Sequence, residues 1–150
     1  MKKLFLMAGL LPTMALACPY LEGRYPDCHS EIKQMKGEYV INQSNENGIE
    51  VYSIKYIDEN GDVQEDQFKT DGSKTTRKQT IPTVGVKVKV EGSATCNDDK
   101  VLSKGKAYFM GANVGNFNST IYKDENGVLT MKIAASYLGR DVNKLIQCKE

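Results

Sequence analysis

Few side chains in this sequence carry chemistry of their own. His29 is the one histidine and follows Cys28 directly, and a thiol beside an imidazole is the raw material of a nucleophilic pair. Neighbours in sequence seldom face each other, however, and a cysteine held in a disulfide has no thiolate to activate. His29 therefore reads as a surface residue beside a structural cystine. No C-x-x-C spacing occurs, which leaves zinc without a ligand set. Asp58-Glu59-Asn60-Gly61-Asp62 alternates oxygen-bearing side chains as a calcium loop does. An EF-hand loop needs glycine sixth and a bidentate Glu twelfth, whereas here glycine is fourth and the twelfth residue is Lys69. Asp62, Glu65 and Asp66 are the carboxylates spaced for acid–base work, but on a polar hairpin they read as solvated charge. No G-x-S-x-G elbow and no glycine-rich phosphate loop is present. The expectation is a non-enzyme, with no catalytic residue, no metal and no cofactor.

The elements that must position these residues are strands. Asn45-Glu46-Asn47-Gly48, Asp58-Glu59-Asn60-Gly61 and Asp124-Glu125-Asn126-Gly127 share a turn chemistry. The first Asp or Asn accepts hydrogen bonds from the backbone beyond it, and Gly supplies the positive φ that closes a hairpin. Their unequal spacing excludes a regular repeat. Residues 84–96 alternate strictly: Val84, Val86, Val88, Val90, Gly92, Ala94 and Cys96 share one face, and Lys87, Lys89 and Glu91 lie on the other. That is an antiparallel strand with one wet face, with Gly92 as the natural bend. The same reading places strands near 21–26, 37–44, 48–58, 62–69, 75–81, 84–96, 101–111, 116–123, 127–137 and 142–149. Residues 30–36 suit one helical turn, and 141–147 suit helix or strand. The predicted fold is all-β: an up-and-down meander closing into a small barrel, with a sandwich as the alternative. Lysines on the strand faces and the lack of tryptophan argue against an outer-membrane barrel.

The chain opens with Met1-Lys2-Lys3, an apolar run from Leu4 to Leu11, and Ala15-Leu16-Ala17. This is the pattern of a cleaved secretory signal of bacterial style, too short to span a bilayer. The expected domains are a signal at 1–17 and one β domain at 18–150. Cys18 follows the small residue, so a lipoprotein signal is the minority alternative to a free periplasmic or secreted protein. The formal charge is +1, and without Lys2 and Lys3 it becomes −1. Both signs are scattered along the chain, which gives no reason to expect nucleic acid or an anionic membrane as partner, nor a transmembrane segment in the mature chain. Four cysteines, Cys18, Cys28, Cys96 and Cys148, read as two disulfides with three possible connectivities.

Leu21-Glu22-Gly23-Arg24-Tyr25 resembles the G-x-W start of lipocalins and related calycin barrels, with Tyr25 in the tryptophan's place. The resemblance implies a meander barrel with an apolar ligand inside, and a disulfide from mid-barrel to the C-terminal tail, as Cys96 and Cys148 would make. The T-D-x-x-Y signature is absent after Thr70-Asp71. The short loop from Cys18 to Cys28, bent by Pro19 and Pro26, favours the same division, so the expected pairs are Cys18–Cys28 and Cys96–Cys148.

The leading functional expectation is an exported small β-barrel that binds an apolar small molecule. Tyr52, Tyr56, Tyr108, Met110, Met131 and Tyr137 are its candidate contacts, since tyrosine and methionine join apolar bulk to a polar or soft tip. The competing reading is that they fill a packed core. The alternative function is a protein-binding module, an inhibitor or envelope assembly factor, using Gly111 to Phe117 as an insertion loop. The signal reading is checked by intact mass: protein recovered from the exported fraction begins at Cys18, without added acyl chains.

Overall fold

The alternation read from residues 84–96 is realised from Val86 onward in the computed structural model, which describes residues 18–30, 33–34, 36–81 and 86–150; Val84 and Gly85 lie outside the described residues. Val88, Val90 and Ala94 are buried while Lys87, Lys89 and Thr95 face water. The described chain is all-β, with no helix. A four-stranded antiparallel sheet runs β1 (Gly23–Tyr25), β4 (Gly37–Glu46), β5 (Ile49–Asp58), β6 (Val63–Lys69). An eight-stranded sheet runs β3 (Lys33–Gln34), β2 (Asp27–Ser30), β12 (Arg140–Lys149), β11 (Leu129–Tyr137), β10 (Ala112–Lys123), β9 (Lys100–Phe109), β8 (Val86–Asn97), β7 (Thr75–Ile81). Residues 141–147 are strand; of the proposed turn at 30–36, Lys33–Gln34 is strand and 31, 32 and 35 lie outside the described residues, as does the signal segment.

The expected barrel does not close. The two sheets meet at two seams, and neither carries a backbone ladder. At the first, the chain leaves the small sheet at Tyr25 and enters the large one at Asp27; Pro26 between them has no N–H to extend a ladder and turns the corner. At the second, β6 and β7 are joined by the Asp66–Arg77 ion pair, and beyond β6 one isolated bridge ties Asp71 to Thr95 of β8. The result is two facing sheets, the sandwich-like alternative.

The three Asn/Asp-Glu-Asn-Gly segments are hairpin tips. Asp58 and Asp124 do the same work: each Oδ1 accepts from the N–H groups two and four residues on, at 2.9 Å, and each carbonyl accepts from the glycine N–H. Gly61 and Gly127 take φ of 84° and 77°, a region open to glycine without a Cβ clash.

The disulfides correct the expected pairing: Cys18 joins Cys96 and Cys28 joins Cys148. Register explains the second, because Cys28 stands directly opposite Cys148 in the β2–β12 ladder with Cα atoms 4.0 Å apart. Expectation failed here because β2 was not recognised as a strand separate from β1. Cys96 ends the long valine strand as foreseen, but its partner is the N-terminal segment.

Around the Cys28–Cys148 bridge lies the core: Leu21, Tyr25, Ile41, Tyr52, Val101, Ile121, Leu129, Met131 and Ile146. Tyr25 donates to the Leu21 carbonyl at 2.7 Å and Tyr52 to the Pro19 carbonyl at 2.6 Å. Both rings can therefore be buried without stranding a hydroxyl. Each bridge closes a long loop, 78 or 120 residues apart, for which chain entropy suggests on the order of 4–5 kcal/mol before strain. Cys28 and Cys148 are fully buried in this core. Non-reducing peptide mapping will yield Cys18–Cys96 and Cys28–Cys148 peptides. Replacing Cys28 and Cys148 together by Ala will lower Tm by roughly 10 °C, more than replacing Cys18 and Cys96.

Candidate functional site

Rows of residues across the large sheet explain where space is left inside. One row reads Cys96, Val101, Ile121, Met131, Ile146 in strand order, and it is filled. The next reads Ala94, Ser103, Ser119, Ile133, and the one beyond it Gly92, Gly105, Phe117, Ala135. The glycine, alanine and serine positions in these two rows are too short to reach the facing sheet, and only Ile133 and Phe117 among them carry bulk. Gly105 is required by its neighbour, because a Cβ there would sit 2.5 Å from the Phe117 ring. Phe117 lies over the backbone of that row instead of in a loop.

The consequence is a cavity of about 310 Å³ between the sheets. Ile54 and Phe68 wall it on the small sheet; Val90, Phe117, Met131 and Ile133 wall it on the large one. Most of its surface is apolar, but Thr75, Gln79, Ser93 and Lys104 also line it, beside two serines and an ion pair. Ser103 and Ser119 share a hydrogen bond of 2.6 Å between their hydroxyls. At the seam, Asp66 accepts from Arg77. Burial between the sheets raises the Asp66 pKa, and the Arg77 charge and hydrogen bond pull it back only in part. The cavity thus has apolar walls and one charged pair at its side, a combination able to bury an apolar body and orient a polar end.

The candidate contacts named from sequence do not converge. Met131 alone among them lines the cavity. Tyr52 is in the core, stacked on Phe68 with ring centroids 5.7 Å apart. Tyr56 lies against Tyr39 at 5.0 Å, and burial followed by that neighbour pushes the Tyr39 hydroxyl up to about 12. Tyr108 sits on the outer face under Lys89, 5.7 Å from ring centroid to Nζ. Met110 is 91% exposed at a hairpin tip, and Tyr137 packs against Gly115 at the end of β11.

The segment read as an insertion loop, Gly111 to Phe117, is also not a loop. Only Met110 and Gly111 turn, with φ of 50° and 84°, and β10 begins at Ala112. Nor do the three carboxylates gather. Glu65 and Asp66 face opposite ways along β6: Glu65 accepts from Ser53 Oγ at 2.8 Å on the exposed side, Asp66 points inward, and Asp62 is exposed beyond the strand. Among the residues lining the cavity, sequence reading did not name Arg77, Ser103 or Ser119, and it placed Phe117 in a loop. The thinning of the valine strand into Gly92 and Ala94 was the signal for them.

No protein-family model matches this chain, and a search of curated proteins finds no match either.

A carboxyl with a raised folded-state pKa stabilises the fold in its protonated form. Asp66's contribution is complete below the unfolded-state value, about 4, and is lost as pH rises through its higher folded-state value. An NMR titration of the Asp66 carboxyl will place its midpoint above the ordinary aspartate range. Arg77→Met will move that midpoint further up, because it removes the opposing charge and leaves the burial.

Proposed function

We propose that this protein is an exported binding protein that holds a small, largely apolar molecule between its two sheets, with the Asp66–Arg77 pair as the polar anchor. The cavity carries this reading: its volume of about 310 Å³ lies at the small end of ligand sites, and it exists because the sequence spends glycine, alanine and serine where core residues would otherwise pack. Arg77 has a planar fork of donors, of which one is given to Asp66, so a carboxylate or other polar end can be taken up beside it.

Export is supported by two disulfides among the described residues, since such bonds persist in oxidising compartments, and by the basic and apolar segments that open the chain. No helix among the described residues is long and apolar enough to cross a membrane. Cys18 spends its sulfur on Cys96, which leaves no thiol for a lipid anchor and favours the unanchored form. The resemblance of Gly23-Arg24-Tyr25 to a calycin opening fits a ligand carrier, although the two open sheets differ from those closed barrels.

Native mass spectrometry of the oxidised protein, together with titration of a fluorescent apolar probe, tests the proposal. The expected result is one bound molecule per chain and saturable probe uptake. Ser119→Phe fills the cavity and will weaken probe binding by at least about tenfold while circular dichroism stays unchanged. An empty wild-type protein that takes up no probe would overturn the reading, as would a filled variant that binds equally well.

A further inference from the structure

The antiparallel register sorts surface features that are mixed along the sequence. At one end of the large sheet lie the Asp98-Asp99 turn, the Asp124–Gly127 turn and the end of β12. Asp27, Asp98, Asp99, Asp124, Glu125 and Glu150 there outnumber Lys100, Lys123 and Lys149. The opposite end carries Lys78, Lys87, Lys89, Lys106 and Arg140 against Glu91 and Asp141. One end is acidic and the other basic.

The basic end is also where apolar side chains protrude. The β9–β10 and β11–β12 hairpins both turn there, and the residues at their points are Met110 and Leu138, 91% and 69% exposed. Both adopt left-handed backbone, with φ of 50° and 47°. Asn and Asp enter that region readily, and longer side chains do so at a cost. Elsewhere in this chain the equivalent positions obey the rule, with Asn47 and Asp98 at φ of 53° and 54°. At the basic end the fold therefore accepts strained backbone and exposed apolar bulk together, which points to use rather than stability. The tips are two strand spacings apart, about 10 Å, and the second is tied to β10 by the Leu138 N–H donating to the Val114 carbonyl at 3.0 Å.

Beside Met110 runs an open groove of about 480 Å³ lined by Lys78, Lys87, Lys89, Glu91 and Tyr108. Lys78 stands directly opposite Lys89 across the β7–β8 ladder, and like charges so placed repel. Glu91 pairs with Lys89; Lys78 and Lys87 have no ion-pair partner among the described residues.

We propose that this end of the sheet docks on a bilayer surface containing anionic phospholipid, with Met110 and Leu138 entering the headgroup–acyl boundary and the lysine groove receiving a headgroup phosphate. A basic surface flanking shallow apolar points is what such an interface attracts. The inference is independent of the inter-sheet cavity and needs no ligand there.

The test is vesicle co-sedimentation of the oxidised protein. Vesicles of phosphatidylcholine alone are compared with vesicles containing phosphatidylglycerol, at low and high salt and with added inorganic phosphate. Binding is expected only with phosphatidylglycerol, and weaker in high salt. Lys78→Gln with Lys87→Gln will lower affinity about 25-fold, at roughly fivefold per lysine. Met110→Asn with Leu138→Asn will lower it about tenfold without lowering Tm, because asparagine suits the turn better than the native residue. Three outcomes would overturn the proposal. The first is wild-type protein that stays in solution with every vesicle, which leaves these tips to a protein partner. The second is undiminished binding by either double variant. The third is full displacement by inorganic phosphate with the tip variant unaffected, which marks a site for free anions only.

Discussion

The Cys28–Cys148 bridge, set in the β2–β12 ladder, is the constraint on which the rest of the architecture rests. It fixes the first strand of the large sheet against the last, at the corner where Pro26 redirects the chain from one sheet into the other. Leu21, Tyr25, Ile41, Leu129 and Ile146 pack around it, and the small sheet is thereby held against the large one. The opposite seam has no such bond. An ion pair, a single bridge and the Gly72 N–H donating to the Ala94 carbonyl hold it, with Cys18–Cys96 clamped across the neighbouring crossover, where Cys18 Sγ lies 3.4 Å from Thr70 Oγ1.

The cavity follows from an uneven distribution of side-chain size over this frame. Near the Cys28–Cys148 bridge the inward rows are large and close-packed. In the next two rows most positions shrink to glycine, alanine and serine, with only Ile133 and Phe117 large, and a gap is left between the sheets. Asp66 and Arg77 bound that gap because β6 and β7 are edge strands with no backbone partner for each other. The seam's weakness as a ladder is thus the source of the site's polar character. An open edge is usually a liability for aggregation, and here charged side chains occupy it.

Much of the strand plan was legible locally. The valine alternation at 86–90 and the turn chemistry at Asp58, Asp124 and Asn47 are nearest-neighbour signals, and ten of the strand positions follow from them. Closure was not legible, since whether β1 and β2 form one strand or two depends on Pro26 turning a corner that only packing requires. The cysteine pairing failed for the same reason: Cys18 and Cys28 are close along the chain, but β1 and its corner carry them to different strands. Five of the six expected ligand contacts lie away from the cavity, because tyrosine and methionine report amphipathic character rather than location. Tyr52 satisfies its hydroxyl inside the core and Tyr108 rests beneath a lysine outside. Charge sorting was invisible too, as lysines and carboxylates interleave in sequence and separate only when antiparallel strands align their ends.

The connectivity of the bridges has a bearing on how the molecule comes to exist. The chain is made from its N-terminus, so cysteines emerge in the order 18, 28, 96, 148. An oxidant acting on the growing chain meets Cys18 and Cys28 as the first available pair, yet neither belongs to the other. Both must remain reduced, or be released by thiol–disulfide exchange, until distant partners are synthesised, and Cys148 is the last of these. Wherever a Cys18–Cys28 bond forms first, the native pairing is reached only by thiol–disulfide exchange. The final strand, by supplying Cys148, determines when the structure can be locked.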